Sequence, residues 1–251
     1  MGDMDVLLPV IFWVFLILVV LVPPLLYLRG VRKAEKYQRE PWRPLLGTFA
    51  AGAVVAVFIA IILSMILFSF YKEVVRVYEI VEDSYTLETL VLVCVIAPIV
   101  EEAAKGWVVW RRRSRFIEVE DGLVYGSAAG LGFAATENLF YGLAAYIVFG
   151  AAGFITIVLV RSISAVFLHA SATAFMGYGF SRSKLLGSSP IPFFFGAVLL
   201  HSAYNFLASL GVVFGEKYGI ISLVVVILLG MVSFSFTKKK IRVLDRSGAR
   251  R

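Results

Sequence analysis

The chain has 251 residues, of which 60% are hydrophobic and only 16% charged, and its formal net charge is +7. With a mean hydropathy of +0.89, it is too apolar and too poor in charge for a water-soluble domain of this length. Its single cysteine, Cys94, excludes an internal disulfide, so helix packing alone must hold the fold.

A helix needs ~20 mostly apolar residues to cross ~30 Å of hydrocarbon. That length predicts an all-α, polytopic integral membrane helix bundle with about seven spans, at roughly 6–28, 46–70, 87–110, 122–148, 152–179, 190–213 and 218–236. The first apolar run is too long for a signal-peptide core. Asp3 and Asp5 stand before it where Lys or Arg belong, so a retained helix is expected, bent at Pro23-Pro24. No repeat or low-complexity tract interrupts the chain, and residues 1–251 read as a single membrane-embedded domain.

Lysine and arginine alternate in density along the chain. Six lie in 29–45, four in 111–121, two in 180–189 and seven in the C-terminal tail, against two in 71–86 and one in 214–217. This is the positive-inside asymmetry of a multi-pass cell-membrane protein with its N-terminus outside and its C-terminus cytoplasmic. The basic surplus therefore signals orientation and contact with the lipid bilayer, where Lys238-Lys239-Lys240 meets anionic headgroups. It does not signal nucleic acid.

Four spans carry groups that hydrocarbon disfavours. The third holds Glu101-Glu102-x-x-Lys105, in which both glutamates share a helix face with the lysine. One ammonium neutralises one carboxylate and not two, which leaves a carboxyl free to exchange a proton. The fourth presents Gly122, Gly126 and Gly130, a smooth ridge for close helix approach, followed by Phe133, Glu137, Asn138 and Tyr141. The fifth carries His169, with Thr173 on its face, and the sixth carries His201 and Asn205 four residues apart. Arg161 lies nearer the external end of its span, where a long side chain can reach the interface.

Glu101, His169 and His201 come out at a depth of roughly 14–17 Å from ~1.5 Å of rise per residue, and Glu137 at roughly 22 Å. An ionisable group near the bilayer centre costs ~2.5–3.5 kcal/mol or more, so such convergence marks a reaction centre. Glutamates, histidines and Asn205 suit hydrolysis: a carboxylate takes a proton from water and a His/Asn pair steadies the oxyanion. The same donors also suit a divalent ion such as zinc. The common helical zinc signature H-E-x-x-H is absent; metal-free chemistry is the reading favoured, with a divalent ion as the alternative. No G-x-S-x-G or intramembrane aspartate pair supplies another nucleophile. The rival readings are a proton- or ion-coupled transporter that uses the Glu/His groups as a relay, and a helper protein with a degenerate site.

The order E-E-x-x-K, then Gly130-x-Gly132-Phe133-Ala134-x-x-Glu137-Asn138, then His169, then His201-x-x-x-Asn205 resembles the PrsW family of intramembrane proteases over about residues 95–210. That family is distantly similar to the CAAX-processing and bacteriocin-immunity membrane proteases. The resemblance implies a peptidase that cleaves a membrane-anchored protein substrate, with 95–210 as its catalytic core, and regulated site-1 cleavage of an anti-sigma-like factor as its setting. It implies Glu101 as the base, Glu137 where the CAAX enzymes have histidine, and His169 or His201 with Asn205 on the scissile carbonyl. Glu102 orients water or pairs with Lys105, and Asn138 supports the set.

Overall fold

The computed structural model describes residues 2–78 and 85–248, and every regular element among them is helical. Helix α1 (Gly2–Arg32) runs through Pro9, Pro23 and Pro24. A long rod follows, made of α2 (Trp42–Ala51), a π-helical turn (Gly52–Ala56) and α3 (Val57–Tyr78). The next rod is built the same way, from α4 (Tyr85–Val91), a π-helical turn (Leu92–Ile96) and α5 (Ala97–Trp110). Then come α6 (Asp121–Ser162), α7 (Ala165–Leu186), α8 (Ile191–Ala208), the short α9 (Leu210–Phe214) and α10 (Gly219–Gly248). The loop expected over 71–86 is helical up to Tyr78, and its residues 79–84 lie outside the described residues, as do Arg250 and Arg251 of the basic tail.

The result is a helical membrane bundle. Among the described residues 5 stretches are long and apolar enough to cross a membrane: Pro9–Arg32, Trp42–Arg76, Asp121–Leu186, Ile191–Ala208 and Glu216–Ser247. Two features separate this count from the seven spans expected. The stretch Asp121–Leu186 holds 66 residues and contains two of the expected spans. The expected span 87–110 is interrupted by a π-helical turn and carries Glu101, Glu102 and Lys105, too much charge for a plainly apolar helix.

Within α6 the chain reverses at Gly150, where φ is 62° and ψ is −157°, a left-handed backbone that glycine adopts without steric cost. A side chain on Gly142 would strike Phe154 and Val158, so the two arms of α6 pack against one another as a hairpin. Leu16 and Val20 of α1 join Phe154 and Val158 in a small apolar cluster beside it.

The first arm of α6 is the centre of the bundle, buried from Asp121 to Ala135. The expected glycine ridge lies directly on α7. A Cβ on Gly122, Gly126 or Gly130 would fall 2.1, 2.4 or 2.2 Å from the carbonyl oxygens of Gly177, Thr173 and His169. On another face, a Cβ on Gly132 would fall 1.9 Å from Phe49 O, and one on Gly52 would fall 2.2 Å from Ala129 O. With no room for a side chain at these crossings, helix backbones meet through dispersion contacts alone.

The basic segments gather at one end of the bundle. Lys184 Nζ donates to Phe116 O at 2.7 Å. Asp245 of α10 accepts from the backbone N–H groups of Lys36, at 2.8 Å, and Tyr37, at 3.2 Å.

Gly130→Leu should separate α6 from α7 and destabilise the protein by about 1–3 kcal/mol or more, the usual cost of overpacking. Gly219→Ala, which meets open space, should not. Thermal loss of the folded, detergent-solubilised protein measures both.

Candidate active site

Helix α5 sets Glu101, Glu102 and Lys105 on the flank facing α7 and α8, and Lys105 is the hub. Its side chain has no exposed surface. The Nζ atom lies 2.6 Å from Glu102 Oε1, 3.6 Å from Glu101 Oε2 and 3.1 Å from His169 Nδ1. It also sits 4.4 Å from the centre of the Phe133 ring, an attraction between a cation and an aromatic face. An ammonium has donors and no lone pair, so it fixes the tautomer of His169. Nδ1 accepts from Lys105, and Nε2–H donates to Glu137 Oε2 at 2.7 Å.

Glu102 is saturated with partners. Its Oε1 also accepts from His201 Nδ1 at 3.0 Å, and its Oε2 accepts from Thr173 Oγ1 at 3.0 Å. His201 then turns Nε2 toward Glu101, 3.8 Å from Oε2, with its ring 4.8 Å from that of His169. Glu101 Oε2 is buried and has no hydrogen-bond partner among the described residues. The two adjacent glutamates thus differ in kind: one is fully engaged, and the other is left open.

Glu137 is held from a second side. Arg161 Nη2 donates to Glu137 Oε2 at 2.8 Å and Arg161 Nε donates to Asn138 Oδ1 at 2.9 Å, while the guanidinium lies 3.8 Å from the centre of the Tyr141 ring. Arg161 therefore belongs to the cluster rather than to the interface expected for it. The reason is the hairpin: Asn138 stands twelve residues before Gly150 and Arg161 eleven after it, so folding back at Gly150 levels them. That near-symmetry about a glycine was the available sequence signal.

Asn205 is placed apart from this cluster. Its Nδ2 donates to Val93 O at 2.8 Å, inside the π-helical turn Leu92–Ile96, where the shifted backbone register frees carbonyls. The structure thus brings together Glu101, Glu102, Lys105, Glu137, Asn138, His169 and His201. To these it adds Arg161 and Thr173.

Glu101, His169 and His201 each offer one ligand atom within 4.8 Å of one another, a two-histidine, one-carboxylate set familiar from catalytic zinc. Glu101 Oε2 and His201 Nε2 are open to such an ion. His169 is not, because Lys105 occupies Nδ1 and Glu137 occupies Nε2. A divalent ion would have to displace one of them and sit beside an ammonium that already fills the cationic position. As arranged, the three donors do not fit a metal. The charges of Glu101, Glu102 and Glu137 exceed those of Lys105 and Arg161 by one, and a proton on both nitrogens of His201, which lies between Glu101 and Glu102, would balance the set.

Residues 40–232 match the family described as PrsW family intramembrane metalloprotease. The chain is also similar to Protease PrsW of Clostridioides difficile (strain 630), at 27% identity over 225 residues, which covers 85% of this chain and 86% of that protein. No solved structure matches. Both matches are to proteases, and the transporter and helper readings gain nothing from either.

Lys105→Met removes the counter-charge of buried carboxylates and should cost about 3–5 kcal/mol, read as a sharply lower melting temperature in detergent. Glu101→Gln, at an oxygen without a hydrogen-bond partner, should melt close to wild type.

Proposed function

The chain belongs to the PrsW family of intramembrane metalloproteases, and we propose on that premise that it hydrolyses a peptide bond of a membrane-anchored protein, with Glu101 as the base. The observation that carries this reading is the carboxylate of Glu101, which lines a cavity and whose buried Oε2 faces His201 Nε2 without a hydrogen-bond partner. A base must have a free lone pair within reach of the proton it removes. Glu102 has both oxygens occupied, and Glu137 is tied through Oε2 to the charge of Arg161 and to His169.

In this mechanism Glu101 Oε2 takes a proton from water as the water oxygen bonds to the scissile carbonyl carbon. The carbonyl oxygen becomes an oxyanion. His201 holds a proton at Nε2 and directs it at that oxygen, while Glu102 on Nδ1 stabilises the imidazolium, the role a buried carboxylate plays behind a catalytic histidine. Collapse of the oxyanion breaks the C–N bond, and the proton on Glu101 passes to the departing amine. Lys105 and His169 are positioning residues that fix Glu102 and Glu137. Arg161 and Asn138 hold Glu137 as a fixed negative charge at the edge of the site. Asn205, with its amide on Val93, serves this scheme by anchoring α8 to the π-helical turn.

The family's description as metalloproteases implies a metal, which would supply Lewis-acid polarisation of the carbonyl. The engagement of both His169 nitrogens favours the metal-free scheme for this chain.

We place the N-terminus outside and the C-terminus in the cytoplasm of a cell membrane, with 95–210 as the catalytic core of a single membrane-embedded unit. The gathering of basic segments at one end supports this orientation. Regulated cleavage of an anti-sigma-like factor remains the substrate setting proposed.

Terminal-peptide mass spectrometry on membranes from cells expressing wild type or Glu101→Gln at equal levels tests the reading. New termini in a membrane protein should occur with wild type and vanish with Glu101→Gln and with His201→Ala. Termini indifferent to Glu101→Gln would sink it. Cleavage by the solubilised wild-type protein should survive a strong zinc chelator, and loss reversed by added zinc would assign Glu101, His169 and His201 to a metal instead.

A further inference from the structure

Four of the charged or imidazole groups at the centre are closed off from their surroundings or nearly so, and two carboxylates open on a shared space. The side chains of Glu102 and Lys105 are 0% exposed and those of His169 and His201 2%, against 14% for Glu101 and 21% for Glu137. Those two line a cavity of about 340 Å³ whose other walls include Ala60, Ser64 and Phe68 of α3, and Phe133 and Phe140 of α6.

The cavity follows from how α3 is mounted. Its base is pinned to α6, with Gly52 against Ala129 O and Thr136 Oγ1 donating to Ala53 O at 2.7 Å. Beyond the π-helical turn the rod leaves α6. One stripe at helical spacing (Val57, Ala60, Ser64, Phe68) turns from buried to half-buried as it rises, while Phe58, Ile62 and Phe70 face outward. The two helices form a wedge, closed at the glycine contact and open above it.

We propose that this wedge between α3 and α6 is the path by which a transmembrane segment of the protein substrate leaves the lipid and reaches Glu101, with the α3 stripe as the wall that selects it. The proposal rests on the catalytic reading above. The walls are apolar, which suits a segment taken from hydrocarbon rather than a soluble peptide. A helical segment keeps its carbonyls in hydrogen bonds and shielded from water, so it must unwind at the cleaved bond. In hydrocarbon each backbone group freed by unwinding needs a partner. Ser64 is the one uncharged polar side chain among the residues lining the cavity, and it stands where such a group would lie. The substrates selected are apolar spans with weakly helical residues at the cleaved bond, which unwind at the least cost.

The test uses the full-length protein in its own membrane. Ser64→Phe fills the wedge and should lower the yield of Glu101-dependent termini on the order of tenfold or more, as misplacing a substrate does. Ile62→Phe, on the outward face of the same helix, should leave them unchanged. A photo-cross-linking residue placed at Phe68 of the Glu101→Gln protein should capture the same proteins whose termini depend on Glu101, and one placed at Ile62 should not. This second measurement holds even if Ser64→Phe proves unstable. Termini that persist with Ser64→Phe, or equal capture from Phe68 and Ile62, overturn the wedge while leaving the catalytic reading intact. Termini indifferent to Glu101→Gln overturn the catalytic reading itself.

Discussion

Everything at the centre of this molecule depends on one buried ammonium. Lys105 has no contact with solvent or lipid, and the field of its charge is what allows two neighbouring carboxylates to lie inside an apolar bundle. Breaking one side of such a buried pair is far more damaging than its net contribution to stability suggests, because the remaining charge is left without compensation. Lys105 also imposes a chemical order. By donating to Glu102 and to His169 it decides which nitrogen of His169 carries a proton, and of the two adjacent glutamates it leaves Glu101 with an oxygen to spare.

The charges can meet only because the helices come unusually close. At Gly130 the first arm of α6 leaves no room for a Cβ beside His169 O, so the packing that defines the bundle also positions a histidine of the cluster. The hairpin at Gly150 does the same for the other pole, carrying Arg161 back to Glu137. Packing and electrostatics are therefore coupled: a residue that pushes these helices apart weakens the ion pairs even though it touches none of them.

Much of this was legible in the sequence. The four polar segments, the glycine ridge and the helical class all follow from apolar run length and from the cost of charge in hydrocarbon. Arg161 was assigned to the interface because its distance was measured to the end of its own span, whereas the level that matters is set across the turn between Phe149 and Ala151, where it meets Glu137 and Asn138. Asn205 shares a helix face with His201, yet its partner is a backbone carbonyl exposed by a π-helical turn, and no side-chain pattern announces such a turn. The stretch that continues through Gly150 and the charged third span account for the difference between five long apolar stretches among the described residues and the seven spans expected. How Glu101 and Glu102 divide their roles depended on contacts from α7 and α8, which spacing within α5 does not encode.

The pairing of Glu137 with Arg161 across the Gly150 hairpin also bears on how the chain enters the membrane. Either arm inserted alone brings a bare charge into hydrocarbon, at ~2.5–3.5 kcal/mol for an arginine near the centre. The two arms entering together bring an ion pair, with Asn138 already bound to the guanidinium. Biogenesis of this segment is therefore best served by a hairpin released to the bilayer as one unit, and the short turn at Gly150 is what makes that unit possible.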